Sequence, residues 1–385
     1  MMFLIDYPFV SSFLKETLAS NNYQVIKTKE AAALLDGYNI NWISSEKAKI
    51  LLEKNPTEKL YTNSENSIDW VFKNLPNSDK ANWIKNFKDK FAFREIIKDI
   101  YPDFFFKKVL LSDIETMDIS DFPFPFVVKP TIGFFSLGVH IIYNIEDWNT
   151  VKKELTPAKL KHQYPDNVID TTTFIIEEYI QGKEYAIDCY FNERGEAVIQ
   201  NILLHKFASE TDVSDRVYYS SKKIIEQYHK PLTLFLNDIG KKMQLKNFPI
   251  HIEVRIDERG KIIPIEVNPM RFGGWCTTAD LTWFSYDFNP YKNYMEDTIP
   301  DWNLLLKNKD GYKFAILILE VLTELTPNKK YHFNYNKLHE KFEKVMHIRK
   351  LDYNKYGFFG FAFVATKNEV EIDAFLQSDM EEYLC

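Results

Sequence analysis

Cysteine is scarce in this chain. The 385 residues include three cysteines, Cys189, Cys276 and Cys385, which lie far apart and lack the spacing of metal ligands. This scarcity argues against a disulfide framework and predicts a reducing, cytoplasmic setting. Residues 1–10 lack a basic leader, so a signal peptide is not expected. No hydrophobic run reaches the length of a membrane span, so a membrane partner is not expected either.

Two further absences narrow the function. Basic residues do not dominate, since 48 Lys and Arg against 55 Asp and Glu give a formal net charge of −7. This balance argues against nucleic acid as the main partner but leaves room for a local basic site that binds phosphates. The chain also lacks a Gly-x-Gly-x-x-Gly fingerprint, which disfavours a dinucleotide-binding role.

The chain is long and rich in apolar residues. Its length exceeds what one hydrophobic core usually serves, so two or three packed units are expected. Apolar residues make up 45% and aromatic residues 16%, which indicates bulky cores and hydrophobic pockets in a globular protein.

Strands alternate with helices in the N-terminal part. The hydrophobic pattern predicts strands at 2–6, 23–28, 39–43 and 60–62, and helices at 8–20, 46–54 and near 67–75. This alternation predicts a small α/β domain up to about residue 80. Further strands are expected at 125–130, 138–142, 173–179, 184–191, 197–204 and 358–366. Further helices are expected at 82–100, 231–244, 312–325, 335–345 and 372–383.

Residues 251–269 read as two alternating strands joined by a tight turn. We take residues 259–260, Arg-Gly, as a two-residue hairpin loop in which glycine supplies the positive φ. This register places Glu253 directly opposite Glu266, and His251 directly opposite Asn268. These four polar side chains then share one face of the hairpin.

The opposite face of this hairpin is apolar in the same register. Its expected pairs are Ile252 with Val267, Val254 with Ile265, and Ile256 with Ile263. Opposed carboxylates with Cβ atoms about 5 Å apart destabilise a sheet unless a cation lies between them. Two carboxylates and an Asn carbonyl are hard oxygen ligands suited to Mg²⁺ that holds substrate phosphates. The alternative is an ordinary solvent-facing Glu pair, and Pro264 indicates an edge strand.

Residues 129–139 form a loop with a cation at its start, Lys-Pro-Thr-Ile-Gly-Phe-Phe-Ser-Leu-Gly-Val. Glycines let backbone N–H groups approach a phosphate, and Ser136 adds a hydroxyl donor. The loop is not a Walker motif, because Gly-Lys-Ser/Thr does not end it. The alternative is a long hairpin turn with an incidental Lys129.

Residues 175–185 predict a strand, a bend and a second strand, with the sequence Ile-Ile-Glu-Glu-Tyr-Ile-Gln-Gly-Lys-Glu-Tyr. A carbonyl and an N–H two residues apart in such a hinge can pair with an adenine edge. Acidic side chains can accept from the adenine amino group or the ribose hydroxyls. The alternative is a solvated acidic turn.

Along the chain the glycine loop comes first, the acidic hinge second and the carboxylate hairpin third. Taken together in that order, the three segments resemble the ATP-grasp superfamily. The resemblance covers roughly residues 85–275, and its most specific part is Glu-x-Asn-Pro followed by Arg-Phe-Gly-Gly at 271–274. It implies an α/β (α+β) ATP-grasp fold, in which two α+β subdomains grip ATP behind a Rossmann-like α/β domain. We therefore expect domains at 1–82, 83–300 (lobes about 83–171 and 172–300) and 301–385.

The resemblance also implies a role for each matching residue. The ATP phosphates and the loop that closes over them would involve Lys90, Lys129, Gly133, Ser136 and Gly138. Adenine and ribose would contact Glu177, the backbones of Glu178 and Ile180, and Glu184. The metal, Mg²⁺ or in its place Mn²⁺, would be held by Glu253, Glu266 and Asn268. Arg271 would steady the substrate carboxylate and the acyl phosphate.

Four further assignments depend on single residues. A cation near the γ-phosphate is expected from 205–222, where we favour Arg216 over His205, Lys206 and Lys222. His251 is read equally as a phosphate contact, a partner of the metal ligands or a structural histidine. Cys276 lies where the substrate pocket is expected, but nothing marks it as a nucleophile. The insertion of Met270 before Arg271 is expected to redirect that arginine.

The resemblance implies an ATP-dependent ligase that joins a carboxylate to an amine, or to a thiol, through an acyl phosphate. Small-molecule carboxylate and amine substrates are the expected partners, and a homodimer is one alternative for the assembly. A peptide or protein acceptor and a non-catalytic nucleotide-binding module remain alternatives. A biotin-type carboxylase is disfavoured, because the chain lacks a Cys- and Arg-rich carboxylation segment.

Overall fold

Three sheets organise this chain. The computed structural model describes residues 1–133, 138–155, 172–209, 214–321 and 331–385. No helix in these ranges is long and apolar enough to cross a membrane.

The N-terminal sheet is parallel, as the alternation of strands and helices predicts. Its strands are β1 (Met2–Leu4), β2 (Gln24–Lys27), β3 (Asn41–Ser44) and β4 (Leu60–Thr62), in the order β3-β2-β1-β4. Its helices are Ser12–Ser20, Lys29–Leu34, Ser45–Lys54 and Ile68–Asn74. Side chains of Ser11, Thr28 and Ser44 cap the first three helices. The confirmed α/β pattern brings the carboxyl ends of β1 and β4 to one edge.

The single helix predicted at 82–100 is two helices, Asp79–Lys88 and Lys90–Ile97. Asp89 leaves the helical conformation with ψ 103° and its side chain accepts from the backbones of Phe91 and Ala92. An aspartate used as a helix cap stops one helix and starts the next. The break places Lys88 and Lys90 at the junction.

The second sheet is antiparallel and has four strands. These are β5 (Phe106–Leu110), β6 (Phe126–Pro130), β7 (His140–Ile142) and β8 (Thr173–Glu178), in the order β5-β8-β6-β7. The helix Ile145–Glu154 buries Trp148 in a small core with Phe126 and Val128.

The third sheet has eight strands. Chain order gives β9 (Lys183–Phe191), β10 (Ala197–His205), β11 (Val217–Ser221), β12 (Phe248–Ile256), β13 (Ile262–Pro269), β14 (Lys313–Ile318), β15 (Lys344–Lys350) and β16 (Gly360–Thr366). Their spatial order is β13-β12-β9-β10-β11-β14-β16-β15. Strand β13 is therefore an edge, as Pro264 indicates. The strands after residue 300 continue this sheet, and the division into three domains stays a prediction.

Further helices occur within the described residues. They are Lys222–Met243, Thr277–Tyr286, Pro290–Glu296, Trp302–Leu305, Asn336–Lys341, Tyr353–Tyr356 and Glu369–Gln377, with short 3₁₀ helices at Glu65–Ser67, Leu111–Asp113, Gly274–Cys276 and Met380–Tyr383. The long helix begins before the predicted 231–244, because exposed Pro231 lies inside it rather than at its start.

Three predicted helices of the C-terminal part differ from the structure. Residues 312–325 were expected to be a helix, but β14 occupies the part up to Ile318, and 322–325 lie outside the described residues. This run is buried at Phe314–Leu317, and a short apolar run buried on both faces fits either structure. The predicted helix 335–345 ends at Lys341, and β15 begins at Lys344. The predicted helix 372–383 is divided between Glu369–Gln377 and the last 3₁₀ helix.

Candidate functional site

A cleft of about 600 Å³ is lined by residues from all three sheets and the loops that follow them. Strands β6 and β8 supply Lys129 and Glu177, and the hairpin of β12 and β13 supplies its opposed carboxylates. The edge after β1 and β4 contributes Pro8 and residues 63–66. Predicted site residues that line the cleft are Lys90, Lys129, Gly133, Glu177, Glu178, Ile180, Glu184, Glu253, Glu266, Asn268 and Arg271.

The hairpin register is confirmed at its functional end. Glu253 pairs with Glu266, and His251 with Asn268. These side chains face the cleft, while Ile252 between them is buried on the opposite face. The alternation of β12 therefore positions the carboxylates as the sequence predicts.

The predicted turn of this hairpin was wrong by one residue. Residues 258–260 form the loop, closed by the backbone N–H of Asp257 donating to the carbonyl of Lys261, with Gly260 at φ +81°. This loop shifts the pairing by one, so Val254 lies opposite Pro264. A β-bulge next to Glu266 restores the predicted register. The bulge also turns Ile265 into the cleft, although it was expected on the apolar face.

The two hairpin carboxylates have unequal environments. Burial raises the pKa of Glu253, and the negative charges of Glu266 and Glu184 add to this rise. Burial alone would raise the pKa of Glu266, but the charges of Lys90 and Lys88 outweigh it and lower that pKa. His251 offsets the rise at Glu253 only in part, whereas two lysines act on Glu266, so a cation between the two carboxylates would stabilise the ionised form of Glu253.

The donor set fits a hard divalent cation. The Asn268 side chain reaches Glu266, with Nδ2 3.1 Å from Oε1, so an amide lies beside the carboxylate pair. Lys90 Nζ lies 3.5 Å from the other Glu266 oxygen and holds it toward the cleft. Within the described residues, no three His, Cys, Asp or Glu side chains form a metal site on their own. A metal here would therefore complete its shell with oxygens of a bound ligand and water, as Mg²⁺ commonly does.

His251 lies beside Glu253 on the cleft face of this hairpin. Its Nδ1 lies 2.7 Å from Asp188 Oδ1 and its Nε2 lies 3.6 Å from Glu253 Oε1. Burial alone would lower the pKa of His251, but contacts with Asp188 and Glu253 raise it to about 9. Asp188 Oδ1 also accepts from the Gly273 backbone at 2.9 Å. One buried carboxylate thus ties the hairpin to the loop that carries Arg271.

Lys129 is held by a buried carboxylate. Its Nζ lies 2.6 Å from Glu177 Oε1, and Arg94 Nε lies 2.8 Å from Glu177 Oε2. Burial would raise the pKa of Glu177, but Arg94 and Lys129 lower it to about 2. Burial lowers the pKa of Lys129 despite this carboxylate. Both oxygens of Glu177 are therefore engaged by cations, and its expected contact with adenine stays a prediction.

The hinge after β8 is bound by an arginine. Arg255 Nη1 donates to the carbonyl of Ile180 at 2.8 Å, and its Nε donates to Glu184 Oε2 at 3.1 Å. His205 Nδ1 lies 2.8 Å from the other oxygen of Glu184. A side-chain oxygen of Glu178 accepts from the Phe105 backbone at 3.3 Å. In this structure the groups expected to meet adenine and ribose bind the chain's own cations and backbone.

The glycine loop is described only at its two ends. The Gly133 carbonyl accepts from Lys90 Nζ at 3.2 Å, so the two predicted phosphate contacts adjoin. Gly138 has φ +72°, and a Cβ added there would lie 3.2 Å from Pro130 Cγ, so this position requires glycine. Ser136 lies outside the described residues.

The inserted residue before Arg271 has a structural use. Met270 is fully buried at φ +64°, and its carbonyl accepts from the Thr62 backbone at 2.8 Å. The extra residue therefore docks the hairpin onto β4 of the N-terminal sheet. Arg271 follows with Nη1 2.9 Å from the Phe272 carbonyl and Nη2 3.1 Å from Glu65 Oε1. Arg271 thus lies in the cleft and faces the N-terminal sheet.

Comparison with known proteins agrees with this geometry. Residues 122–279 match the family model described as an ATP-grasp domain, which contains the glycine loop, the hinge and the carboxylate hairpin. The chain contains an ATP-grasp domain. No curated protein sequence matches it.

Solved structures share the ATP-grasp fold over nearly the whole chain. L-amino acid ligase from Bacillus licheniformis has a TM-score of 0.66 at 16% identity, covering 100% of this chain and 97% of that one. N5-carboxyaminoimidazole ribonucleotide synthetase from Thermotoga maritima has a TM-score of 0.64 at 16% identity, covering 100% and 98%. The biotin carboxylase domain of the Hydrogenobacter thermophilus 2-oxoglutarate carboxylase, in complex with MgADP, has a TM-score of 0.59 at 12% identity, covering 97% and 88%.

The ATP-grasp cleft does not include Arg216, the favoured γ-phosphate cation. Its guanidinium is buried and donates to the carbonyls of Leu376 and Phe375 at 3.0 and 3.2 Å. Lys206 pairs with Glu369 and Asp373, and Lys222 with Asp310. Of the four candidates, His205 lines the cleft. Sequence could not separate them, because the partners of Lys206, Arg216 and Lys222 come from distant parts of the chain.

Sequence reasoning missed four charged residues at or beside this ATP-grasp site, namely Glu65, Lys88, Arg94 and Arg255. Arg94 lies one helical turn after Lys90, a spacing that could have suggested a shared face. Arg255 lies two residues after Glu253, so strand alternation could have placed it in the cleft. Glu65 and Lys88 come from other parts of the fold, and their meeting needed the three-dimensional structure.

Proposed function

We propose that this ATP-grasp protein is an ATP-dependent ligase that joins a carboxylate to an amine through an acyl phosphate. The observation that carries the proposal is the opposed pair of carboxylates, Glu253 and Glu266, in one cleft with Lys90 and Lys129. Opposed carboxylates are unfavourable alone but suit a metal that bridges phosphates. The similar structures from Bacillus licheniformis and Thermotoga maritima are a ligase and a synthetase, which supports the same reaction class.

The cleft offers separate surfaces to the parts of ATP. Val127, Ile141 and Ile265 are apolar and lie beside the hinge, which suits an adenine ring. Lys129, fixed by Glu177, and Lys90, at a helix start, would neutralise phosphate oxygens. Glu184 would exchange its bonds to His205 and Arg255 for the ribose.

Glu253, Glu266 and Asn268 would hold Mg²⁺, which when bound neutralises charge on the triphosphate. In the proposed reaction, a substrate carboxylate oxygen attacks the γ-phosphorus as the bond to the ADP oxygen breaks. The amine then attacks the acyl carbon, phosphate leaves and the nitrogen loses a proton. Arg271 would orient the carboxylate for the first step. Positioning and charge neutralisation suffice for both steps, so no covalent protein intermediate is needed.

The experiment is a release assay for ADP and phosphate with ATP, Mg²⁺ and mixtures of amino acids, other small carboxylates and amines. The proposal expects release that requires both a carboxylate and an amine, and an amide product by mass spectrometry. Glu266→Gln should lower the rate by about a hundredfold or more, since it removes a metal carboxylate. Glu258→Gln, at the exposed turn of the same hairpin, should leave the rate unchanged.

Two outcomes separate the proposal from its alternatives. Binding of MgATP without turnover on any mixture would make the protein a nucleotide-binding module. Turnover that appears only with peptides would assign a peptide acceptor. A cytoplasmic location and a homodimer remain predictions that this assay does not address.

A further inference from the structure

One ion cluster joins the loop after β4 to the cleft. The nucleotide contacts proposed above do not include its residues. Glu65 Oε2 lies 2.7 Å from Lys88 Nζ, and Glu65 Oε1 lies 3.1 Å from Arg271 Nη2. Each carboxylate oxygen therefore faces one cation. The side chain of Lys88 is 19% exposed, that of Glu65 25% and that of Arg271 11%. The cluster is therefore largely shielded from water.

The two cations come from different elements of the fold. Lys88 ends the helix Asp79–Lys88, directly before the cap residue Asp89. Arg271 is anchored by its bond to the Phe272 carbonyl. Glu65 instead begins a short 3₁₀ helix in the loop after β4. Because Glu65 is carried by a loop, its carboxylate is the partner that a ligand can replace.

The cluster borders the proposed metal site. Glu65 and Arg271 line the same cleft as Glu266. Within the cluster itself, two cations face one carboxylate. A second anion would be attracted there.

We propose that Lys88 and Arg271 together form the subsite for the substrate carboxylate and its acyl phosphate, and that Glu65 fills this subsite until the substrate displaces it. The inference rests on the proposed ligase function and adds Lys88 and Glu65 to it. Glu65 mimics the ligand, since its carboxylate is held by one donor on each oxygen. Any substrate must then compete with an internal carboxylate of high effective concentration. The subsite would therefore favour fully ionised carboxylates that engage both cations.

A purely structural role would make different demands. If Glu65 only tied the N-terminal sheet to the rest of the chain, its loss would lower stability without raising affinity for any anion. If it is an internal ligand, its loss opens a site of two unpaired cations. Anion affinity then rises, because the competitor is gone.

The test uses inorganic phosphate as the probe, titrated into the full chain by calorimetry in the absence of nucleotide. Glu65→Gln should bind phosphate about tenfold more tightly than the wild type, because glutamine has the same shape without the competing charge. Adding Lys88→Met to Glu65→Gln should abolish this gain. Adding Lys73→Met instead, at an exposed lysine of the N-terminal part, should leave the gain. Asp69→Asn, which removes an exposed charge from the same domain, should not change phosphate affinity.

The outcomes that decide the inference differ from those that decide the ligase proposal. Unchanged or weaker phosphate binding by folded Glu65→Gln would overturn the subsite, as would a gain that survives Lys88→Met. Thermal unfolding with and without phosphate gives the same comparison if a variant is less stable, because a ligand of the folded state raises its Tm. MgATP binding and turnover, measured separately, decide the ligase. In that assay Lys88→Met should raise the carboxylate KM about tenfold and leave the ATP KM nearly constant.

Discussion

Glu177→Gln should be among the most damaging substitutions in the chain. Glu177 is 2% exposed, and its two oxygens are shared between Arg94 and Lys129. Glutamine has the same shape but no charge, so two buried cations would face each other without compensation. Breaking a buried ion pair by removing one partner costs about 3–5 kcal/mol. Lys129, whose pKa burial already lowers, should then lose its proton more readily.

The pH dependence of the unfolding free energy gives a second estimate of how much Glu177 stabilises the fold. The pKa of Glu177 is about 2 in the folded chain against an ordinary value of 4.5. A lowered pKa means that the unfolded chain binds the proton more tightly, so the stabilisation is present above pH 4.5 and fades as pH falls toward 2. This difference corresponds to about 3 kcal/mol of unfolding free energy at neutral pH, of which about 1 kcal/mol is lost by about pH 3.5. The difference in unfolding free energy between the wild type and Glu177→Gln should therefore be smaller at about pH 3.5 than at pH 7.

Urea unfolding followed by circular dichroism at pH 7 and at about pH 3.5 measures this gap. The control is Glu178→Gln on the same strand, whose half-buried carboxylate accepts from the Phe105 backbone. It should cost about 1 kcal/mol or less at both pH values. The reasoning is refuted if the wild type and Glu177→Gln differ equally at the two pH values. It is also refuted if Glu178→Gln costs as much.

Two further substitutions test how the hinge and hairpin are held. Gly182 has φ +115° and a Cβ there would collide with the backbone of Ile256, so Gly182→Ala should cost about 2–4 kcal/mol in thermal unfolding. Gly260→Ala, at φ +81° with open space around it, should cost about 1 kcal/mol, and equal losses would contradict the packing argument. Asp188→Asn should weaken MgADP binding about tenfold, because it loosens both His251 and the loop after the hairpin. Unchanged affinity in a folded variant would exclude this supporting role.

Sequence reasoning worked best where side-chain alternation and a buried face fix the geometry. The pairing of Glu253 with Glu266 follows from the need to keep Ile252 and its neighbours on one face. The same reasoning misjudged the turn, because a three-residue loop and a bulge compensate each other over a few residues. The bulge places Ile265 in the cleft, and only the structure could reveal it. The register at the site was therefore predicted correctly, although the two-residue turn on which the prediction depended is absent from the structure.

The ion partners of the site were less predictable. Pattern alone placed Glu177 and Glu184 on the hinge, but not the arginines that bind them, because these come from a helix and a neighbouring strand. The structure places Arg216 outside the cleft for a similar reason, since its partners, the carbonyls of Phe375 and Leu376, come from a distant helix. Periodicity also failed at β14, where apolar residues are buried on both faces. Long-range packing decides each of these cases.

The most direct test of the central claim is whether the hairpin carboxylates hold a metal that binds nucleotide phosphates. Calorimetry should show that the wild type binds ADP at least about tenfold more tightly with Mg²⁺ than with a chelator. In Glu253→Gln/Glu266→Gln this dependence on Mg²⁺ should disappear, while Glu258→Gln keeps it. The account would be contradicted if the double variant, shown to be folded by circular dichroism, still bound MgADP with the full wild-type advantage.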